Sequence, residues 1–246
     1  MTTINKSNIF FVSDTHFGHT NIIKYCNRPF NNADEMDTAL IKNWNAKVPK
    51  DGIVYHLGDF AWGSITYWEK IREQLNGEII LVYGNHDEKY LNNERMYKLF
   101  KEVTPQKKVW FDKTCVYMNH YPFLCFGGSY KGLDATWQLF GHVHSNPRSK
   151  EGLDHKRLVN CFPTQYDVGV DNNNFTPVSF DEVSKIITNQ QLSLGMYDKN
   201  NENLIEQVYK KSSTNTIVSD DTNGIPRVTH ETRAKNMTVR LWKRIN

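Results

Sequence analysis

The chain has 246 residues, of which 39% are hydrophobic and 23% are charged, a balance typical of a globular protein. This length is sufficient for one large domain with its own hydrophobic core. The formal net charge of +3 is too small to indicate a polyanionic partner for the whole chain. No apolar run approaches the roughly 20 residues that a membrane span requires.

The N-terminus lacks the apolar core of a signal peptide, which predicts a cytoplasmic protein with no membrane association. The cysteines are widely spaced and form no Cys-x-x-Cys pair. This spacing argues against both a disulfide framework and a zinc knuckle, so we expect free thiols. The positions are Cys26, Cys115, Cys125 and Cys161.

The first hundred residues alternate between apolar runs and helical patterns. The apolar runs predict buried strands at 8–12, 53–57 and 79–83. Helices are predicted near Thr20, over 33–47, from Ser64 to a closing Gly77, and over 93–101. This order predicts parallel strands that are joined by right-handed crossovers.

The pattern changes after residue 105, where short apolar runs follow one another with few helices between them. They predict strands at 109–111, 115–118, 137–140, 158–162 and 168–170. We therefore expect a second sheet that packs on the first. Ser179 and Glu182 form a capping box, which predicts a final helix.

The last part of the chain carries a weaker signal, and we interpret 191–246 as a C-terminal extension of a domain covering 1–190. Residues 227–246 contain six basic side chains and one acidic side chain, Glu231. Two interpretations of this basic end stay open. It is either a solvated tail or a contact surface for nucleic acid or another partner.

Polar side chains follow the ends of five predicted strands. Because the carboxyl ends of strands meet at one edge of an α/β sheet, we expect these side chains to share a site. They are Asp14, His16, Asp59, Asn85, His86, Asp87, His120, His142 and His144. Mixed carboxylate, amide and imidazole groups suit Mn²⁺, Fe or Zn²⁺ better than Ca²⁺ or Mg²⁺. The set contains no thiolate, which argues against a structural zinc site.

The motifs resemble, in type and order, those of the calcineurin-like metallophosphoesterase superfamily. They are Asp14-x-His16, Gly58-Asp59, Gly84-Asn85-His86-Asp87, His120 and Gly141-His142-x-His144. The resemblance covers residues 7–190 and implies an α/β fold, a four-layer α/β/β/α sandwich of two packed mixed sheets. The opening motif and the segment 21–30 resemble a compact subgroup of this family that occurs in bacteria and phages.

The resemblance implies a role for each motif residue. One divalent metal ion would be bound by Asp14, His16, Asp59 and His144, and a second by Asp59, Asn85, His120 and His142, with Asp59 bridging. Mn²⁺ is the expected ion, with Fe, Zn²⁺, Co²⁺ or Mg²⁺ as alternatives, and a metal-bound water or hydroxide would attack phosphorus. His86 would contact the phosphate and protonate the leaving group, and Asp87 would orient His86. His155 is the alternative to His120.

Fewer sequence features indicate which residues contact the substrate. Arg28 is a candidate phosphate clamp, because a guanidinium binds phosphate oxygens bidentately. His19 either faces the substrate or lies at a helix start, and His56 is expected to be a packed residue of a strand. Asp171 has no predicted chemical role beyond a turn. Aromatic residues near the motifs would either pack in the core or stack on a base: Phe17, Tyr25, Phe30, Trp62 and Tyr121.

The leading prediction is a metal-dependent phosphoric ester hydrolase in the bacterial or phage-infected host cytoplasm. No large insertion separates the motifs, so an open pocket for a small phosphate ester is expected. The resemblance to the compact subgroup implies nucleotides such as (deoxy)nucleoside 5′-monophosphates as the substrates. A phosphodiesterase or nuclease that acts on cyclic nucleotides, DNA or RNA, with the basic C-terminus on nucleic acid, is the alternative. An inactive metal-bound interaction module is the second alternative.

Overall fold

A computed structural model describes residues 6–129, 135–145, 158 and 161–193. The predicted C-terminal extension from 194 onward, with its basic end, and His155 lie outside these residues. The strands are β1 (Ile9–Val12), β2 (Ile53–His56), β3 (Glu78–Val82), β4 (Glu102–Thr104), β5 (Gln106–Phe111), β6 (Thr114–Asn119), β7 (Thr136–Phe140), β8 (Gln165–Asp167) and β9 (Val178–Ser179). The helices are α1 (Thr20–Tyr25), α2 (Ala33–Lys47), α3 (Ile65–Arg72), α4 (Glu94–Tyr97) and α5 (Phe180–Ser193).

The first sheet has the strand order β4-β3-β2-β1-β9. Strands β1 to β4 are parallel, and β9 pairs antiparallel with β1 at the edge. Tyr55 of β2 lies opposite both Phe11 of β1 and Ile80 of β3, so the three strands end nearly level. The predicted parallel arrangement is confirmed. The residues that follow these strands are therefore brought to one edge of the sheet.

The predicted second sheet is also confirmed, with the strand order β5-β6-β7-β8. Strands β6, β7 and β8 are parallel, and β5 pairs antiparallel with β6. The predicted strand at 168–170 is wrong, because β8 ends at Asp167 and the following residues bond elsewhere. Val168 and Val170 pair through their backbones with Ser13 of the first sheet's loop. The predicted strand at 158–162 lies partly outside the described residues.

Successive side chains of the first sheet face two different cores. On one side, Val12 and Leu81 pack with Trp44 of α2 and Trp68 of α3, and all four are almost fully buried. On the other side, the sheet packs against the second sheet, where the contacts include Phe11, Tyr55, Val116, Met118 and Leu139. Burial on both faces explains why the strands are unbroken apolar runs rather than alternating ones.

The helices follow the predicted positions, but two of them are shorter than predicted. The Asn32 side chain accepts the Glu35 N–H at 2.9 Å and caps α2, whose predicted range is confirmed. The prediction that α3 runs on to Gly77 is wrong, since the helix ends at Arg72. The Arg72 guanidinium donates to the carbonyls of Leu75 and Gly77 at 2.8 and 2.6 Å, so the chain turns back there instead of forming a glycine-closed helix end. The predicted helix over 93–101 is shorter, since α4 covers Glu94–Tyr97.

The final helix begins with the predicted capping box. Glu182 accepts hydrogen bonds from the N–H and O–H of Ser179, both at 2.8 Å. Val183 and Ile187 of α5 are buried in the core between the two sheets, and the helix contacts β1, β8 and β9. The predicted α/β fold of two packed mixed sheets is confirmed. Within the described residues, no helix has the length and apolar character needed to cross a membrane.

Candidate metal centre

Hydrogen bonds between loops extend the strand pairing into the site. After β1 and β2 the two chains stay paired, since Asp14 N–H donates to the Gly58 carbonyl and His16 N–H to the Asp59 carbonyl, both at 3.0 Å. The loop after β7 is tied to both sheets. His142 N–H donates to the Asp14 carboxylate at 2.9 Å, and Gly141 N–H donates to a carbonyl at the end of β6. The motif residues from both sheets therefore meet at one end of the sandwich.

Many of these residues have a strained backbone. A positive φ in a residue other than glycine is uncommon and concentrates at functional sites. Residues of the predicted metal set with φ between 45° and 69° are Asp14, His16, Asp59, His142 and His144. The surrounding hydrogen bonds hold this strained conformation in place. The cost in backbone energy is accepted here because the conformation directs the side chains into the site.

The side chains form two adjacent clusters. Ligand atoms of Asp14, His16 and His144 lie within 4.8 Å of one another, and so do those of Asp59, His120 and His142. The division follows the two ligand sets that the family resemblance implies. A third group of this kind contains Cys26 and Asp171 together with His144, and thus brings a thiol near the site that the sequence did not indicate.

One carboxylate oxygen lies between the two clusters. Asp59 Oδ2 is 3.4 Å from His16 Nε2 in the first cluster and 3.5 Å from His120 Nε2 in the second. The Asp59 carboxyl is almost fully buried, and burial raises its pKa although the nearby His120 acts in the opposite direction. This is the position that a carboxylate shared by two cations would occupy.

The hydrogen bonds of His120 leave one of its ring nitrogens available to a cation in the second cluster. Its Nδ1 lies 2.8 Å from the Leu57 carbonyl, which can only accept, so Nδ1 carries the proton. In the neutral ring, Nε2 then presents a lone pair to Asn85 Oδ1 at 3.1 Å and to Asp59 Oδ2 at 3.5 Å. Three acceptors that face one another fit a bound metal ion.

The first cluster also contains a histidine nitrogen that is available to a metal ion. His16 Nε2 is buried and has no hydrogen-bond partner. Burial, together with the charges of His144 and Arg28, holds the pKa of His16 well below its usual value, so its ring is neutral and can bind a cation. These residues fit divalent metal ions, and their Asp, Asn and His composition suits Mn²⁺, Fe or Zn²⁺.

A carboxylate orients His144. Its Nδ1 lies 2.8 Å from Asp171 Oδ2, which leaves Nε2 directed at Asp14 Oδ1, 3.9 Å away. Burial alone would lower the pKa of His144, but the Asp14 carboxylate and the bond to Asp171 outweigh burial and raise it well above the usual value. Carboxylates that bind the second nitrogen of a metal-bound histidine fix its orientation and increase its basicity. Asp171, to which the sequence analysis assigned only a turn, therefore supports the site.

The prediction that Arg28 clamps substrate phosphate is wrong. Its side chain is fully buried in an ion pair with Asp171 and uses its remaining N–H groups on other buried acceptors. They reach the carbonyls of Asp14 and Thr15 at 2.7 and 3.0 Å and the sulfur of Met36 at 3.3 Å. No N–H group is left for a phosphate. Arg28 therefore stabilises the loop that carries Asp14 and does not contact the substrate.

The carboxylate of Asp87, which was predicted to orient His86, is directed at the backbone of a neighbouring loop. The Asp87 carboxylate is fully buried and accepts the backbone N–H groups of Asp59, Phe60 and Gly84 at 2.8 to 3.0 Å. Burial and the neighbouring Asp59 carboxylate raise the pKa of Asp87 to about 7 in spite of these bonds. Asp87 thus joins the loops after β2 and β3 and makes no described contact with the His86 ring.

The two histidines assigned to the substrate side lie at the open edge of the centre. The His86 side chain is 37% exposed, and its Nε2 is 3.9 Å from Asp59 Oδ2. His19 Nδ1 is 3.4 Å from His16 Nδ1, and its ring stacks on Trp62. Of the other candidate aromatic residues, Phe17 is buried in the helical core, whereas Tyr25 and Tyr121 are exposed.

Two glycines allow the loops that carry the metal-binding residues to pack against one another. A Cβ atom on Gly84 would lie 2.8 Å from the backbone nitrogen of Asp59, and one on Gly141 would lie 2.6 Å from the Ser13 Cβ. Both distances are shorter than non-bonded atoms tolerate, so glycine is required at each position. The glycines that precede the polar residues in the motifs therefore serve packing between loops.

Comparison with known proteins agrees with this geometry. Residues 8–161 match the family model described as the calcineurin-like phosphoesterase superfamily domain. The chain belongs to this superfamily. It is therefore a metal-dependent phosphoric ester hydrolase. An uncharacterized protein of Methanocaldococcus jannaschii is 37% identical over 184 residues, which cover 73% of this chain and 90% of that protein.

Phage proteins and a solved structure are also similar. The gene 66 proteins of Mycobacterium phages L5 and D29 are 28% and 27% identical, and the matches cover 56% and 67% of this chain and 78% and 88% of theirs. The crystal structure of a protein of unknown function from Aquifex aeolicus is 26% identical, with a TM-score of 0.55. It aligns with 72% of this chain and 98% of its own. The family model and the relative from Methanocaldococcus jannaschii show the family, and the names of these proteins state no substrate.

Proposed function

We propose that this protein is a two-metal phosphomonoesterase whose substrates are small nucleotides such as (deoxy)nucleoside 5′-monophosphates. The observation that carries the proposal is the place of Asp59 Oδ2, between His16 Nε2 at 3.4 Å and His120 Nε2 at 3.5 Å. A single carboxylate oxygen shared by two clusters of metal-binding groups is typical of paired-ion phosphate chemistry.

In this proposal each cluster, joined through Asp59, holds one ion. The first would be bound by Asp14, His16, Asp59 and His144, and the second by Asp59, Asn85, His120 and His142. Bound Mn²⁺, or another divalent ion of similar preference, would supply Lewis-acid charge and lower the pKa of water. The exposed position of His86 suits a donor that delivers a proton to the leaving oxygen.

The open edge of the site supports a small substrate. His19 and His86 are both partly exposed there, and the exposed side chain of Trp62 contacts both of them. A second exposed aromatic residue, Tyr121, lies against His142, and these two aromatic side chains form the rim of the site. An edge that is open in this way admits a phosphate group directly from solvent. A cytoplasmic location follows from the same proposal, because nucleotides are most abundant there.

The test is phosphate release from a panel of esters in the presence of Mn²⁺. The panel contains ribo- and deoxynucleoside 5′-monophosphates, bis-p-nitrophenyl phosphate, a cyclic nucleotide and DNA. Fast release from the monophosphates with little cleavage of the diesters supports the proposal. Preferential cleavage of the diesters would replace it with the phosphodiesterase or nuclease alternative.

The nuclease alternative predicts a salt-dependent affinity for DNA, which the basic segment 227–246 would produce. Contacts between basic side chains and nucleic-acid phosphates release counterions, so the affinity for DNA would fall steeply with salt. A protein truncated before residue 227 would then lose DNA affinity but keep its action on small esters. If no ester is hydrolysed in the presence of any divalent metal, the second alternative remains, which is an inactive metal-bound interaction module.

A further inference from the structure

Exposed aromatic side chains gather beside the candidate metal centre. Among the described residues, six large hydrophobic side chains are exposed. Three of them, Tyr25, Trp62 and Tyr121, contact histidine rings at the site. Large aromatic side chains in water at the edge of a reactive site are characteristic of a binding surface. Trp62 has the best-defined position of the three.

Two neighbours hold the Trp62 indole in place. The His19 ring stacks on it, with 4.5 Å between centroids and 11° between planes, and Lys89 Nζ lies 3.8 Å from the ring centroid. The Trp62 backbone N–H donates to the Phe17 carbonyl at 2.7 Å, in the loop that carries His16. A side chain that is already ordered loses little conformational entropy when a ligand binds to it.

His86 connects Trp62 to the reacting groups. The His86 ring centroid is 5.4 Å from that of Trp62, and His86 Nε2 is 3.9 Å from Asp59 Oδ2. In an in-line displacement, the leaving oxygen departs on the side opposite the attacking oxygen and thus lies beside its proton donor. An organic group on that oxygen therefore lies within reach of Trp62, which is in contact with His86.

We infer that Trp62 binds a planar aromatic ring carried by the leaving group of the substrate, with a nucleobase as the fitting ring chemistry. The inference rests on the proposed phosphomonoesterase function and names the part of the substrate that the rim selects. Base stacking on an aromatic side chain is stronger than the contact of an exposed lysine with the same ring. A base can therefore replace the Lys89 ammonium on the indole, while the charge of Lys89 remains near the anionic substrate.

The test compares deoxyadenosine 5′-monophosphate with 2-deoxyribose 5-phosphate, in which an anomeric hydroxyl takes the place of the base. In Trp62→Ala we expect the KM of the nucleotide to rise about tenfold, and that of the sugar phosphate to change by less than about twofold. Trp62→Phe keeps an aromatic ring and should retain most of the affinity. Trp110→Ala is the matched control, because Trp110 is an exposed tryptophan on β5.

Calorimetry with deoxyadenosine, which carries no phosphate, supplies a readout that does not depend on turnover. Binding to the wild type that is lost in Trp62→Ala and kept in Trp110→Ala supports the inference. An equal rise in KM for both esters, or an unchanged KM for the nucleotide, overturns it and leaves the phosphomonoesterase proposal intact. If the wild type hydrolyses neither ester, the proposed function fails, and the calorimetric comparison alone decides whether Trp62 binds a base.

Discussion

Arg28 and Asp171 are joined by two parallel hydrogen bonds of 2.8 Å, although they are 143 residues apart in the chain. Asp171 Oδ2 also lies 2.8 Å from His144 Nδ1, and Arg28 donates to the Asp14 carbonyl. The pair thus connects the loop after β1 with the chain after β8. It positions two side chains of the first metal cluster without taking part in the chemistry.

Replacement of Arg28 by alanine should destabilise the protein and weaken metal binding. The change leaves the Asp171 carboxylate buried without its partner, and the loss of one member of a buried ion pair costs about 3–5 kcal/mol. Urea unfolding measures the stability, and equilibrium dialysis measures the bound metal. Arg28→Lys keeps the charge but loses the paired hydrogen bonds, so we expect an intermediate result.

Arg95→Ala is the control for this comparison. Arg95 forms a paired contact with Glu69 in solvent, where screening leaves little net effect. We expect unchanged metal binding and a much smaller change in stability. An Arg28→Ala protein as stable as Arg95→Ala, with full metal content, would contradict the role assigned to the buried pair.

Replacement of Asp59 by asparagine should abolish turnover and reduce the number of bound metal ions. An amide keeps the size of the side chain but removes the negative charge between His16 and His120. Mass spectrometry of the native protein counts the ions, and phosphate release measures turnover. Asp51→Asn, which changes an exposed carboxylate bonded to Asn8, should leave both unchanged. Full activity in Asp59→Asn would exclude the paired-ion mechanism.

Replacement of Asp87 by alanine should act on stability even when no metal is present. Three buried backbone N–H groups, those of Asp59, Phe60 and Gly84, would lose their acceptor. Each buried donor left unpaired costs about 1–3 kcal/mol, so a loss of at least about 3 kcal/mol is expected. Chemical unfolding in the presence of a chelator provides the measurement. A catalytic defect with unchanged stability would instead show that Asp87 acts on His86.

The buried His56 should make the protein sensitive to acid. Thr15 Oγ1 donates to the Phe60 carbonyl and therefore accepts from His56 Nε2, which leaves His56 Nδ1 buried without a partner. Burial lowers the pKa of His56 to about 3, far below its usual value of 6.5. The unfolded chain takes up this proton first as the pH falls. The contribution of His56 is therefore complete above about pH 6.5 and is lost between there and pH 3.

A His56→Gln variant tests this assignment, because its amide can still donate to Thr15 but does not titrate. Unfolding free energies at pH 7, 6 and 5 should fall less steeply in the variant than in the wild type. The two slopes should differ by up to about 1.4 kcal/mol per pH unit. Parallel curves would show that His56 does not titrate on unfolding in this range.

The sequence predicted strands β1 to β3, β6 and β7 and helices α2 and α5 correctly because their signals are local. The apolar runs of β1 and β3 and the capping residue Asn32 of α2 lie within the elements they define. The end of α3 was missed because it depends on bonds from Arg72 to a later turn. Asp171 was also missed, although it follows an apolar run just as the motif residues do. This shared pattern could have identified Asp171 as a residue of the site.

By itself, the sequence determined the order of the elements, the family and the set of polar residues at the strand ends, since each is written in contiguous stretches of chain. The tertiary structure decided which charged side chains face the site and which support it. Arg28 and Asp87 were predicted to act on substrate or catalyst. Instead, Arg28 is buried in an ion pair with Asp171, and Asp87 is buried where it accepts backbone N–H groups of the loop after β2. A charge buried in a protein must be paired, and its partner depends on packing between segments that are far apart in sequence.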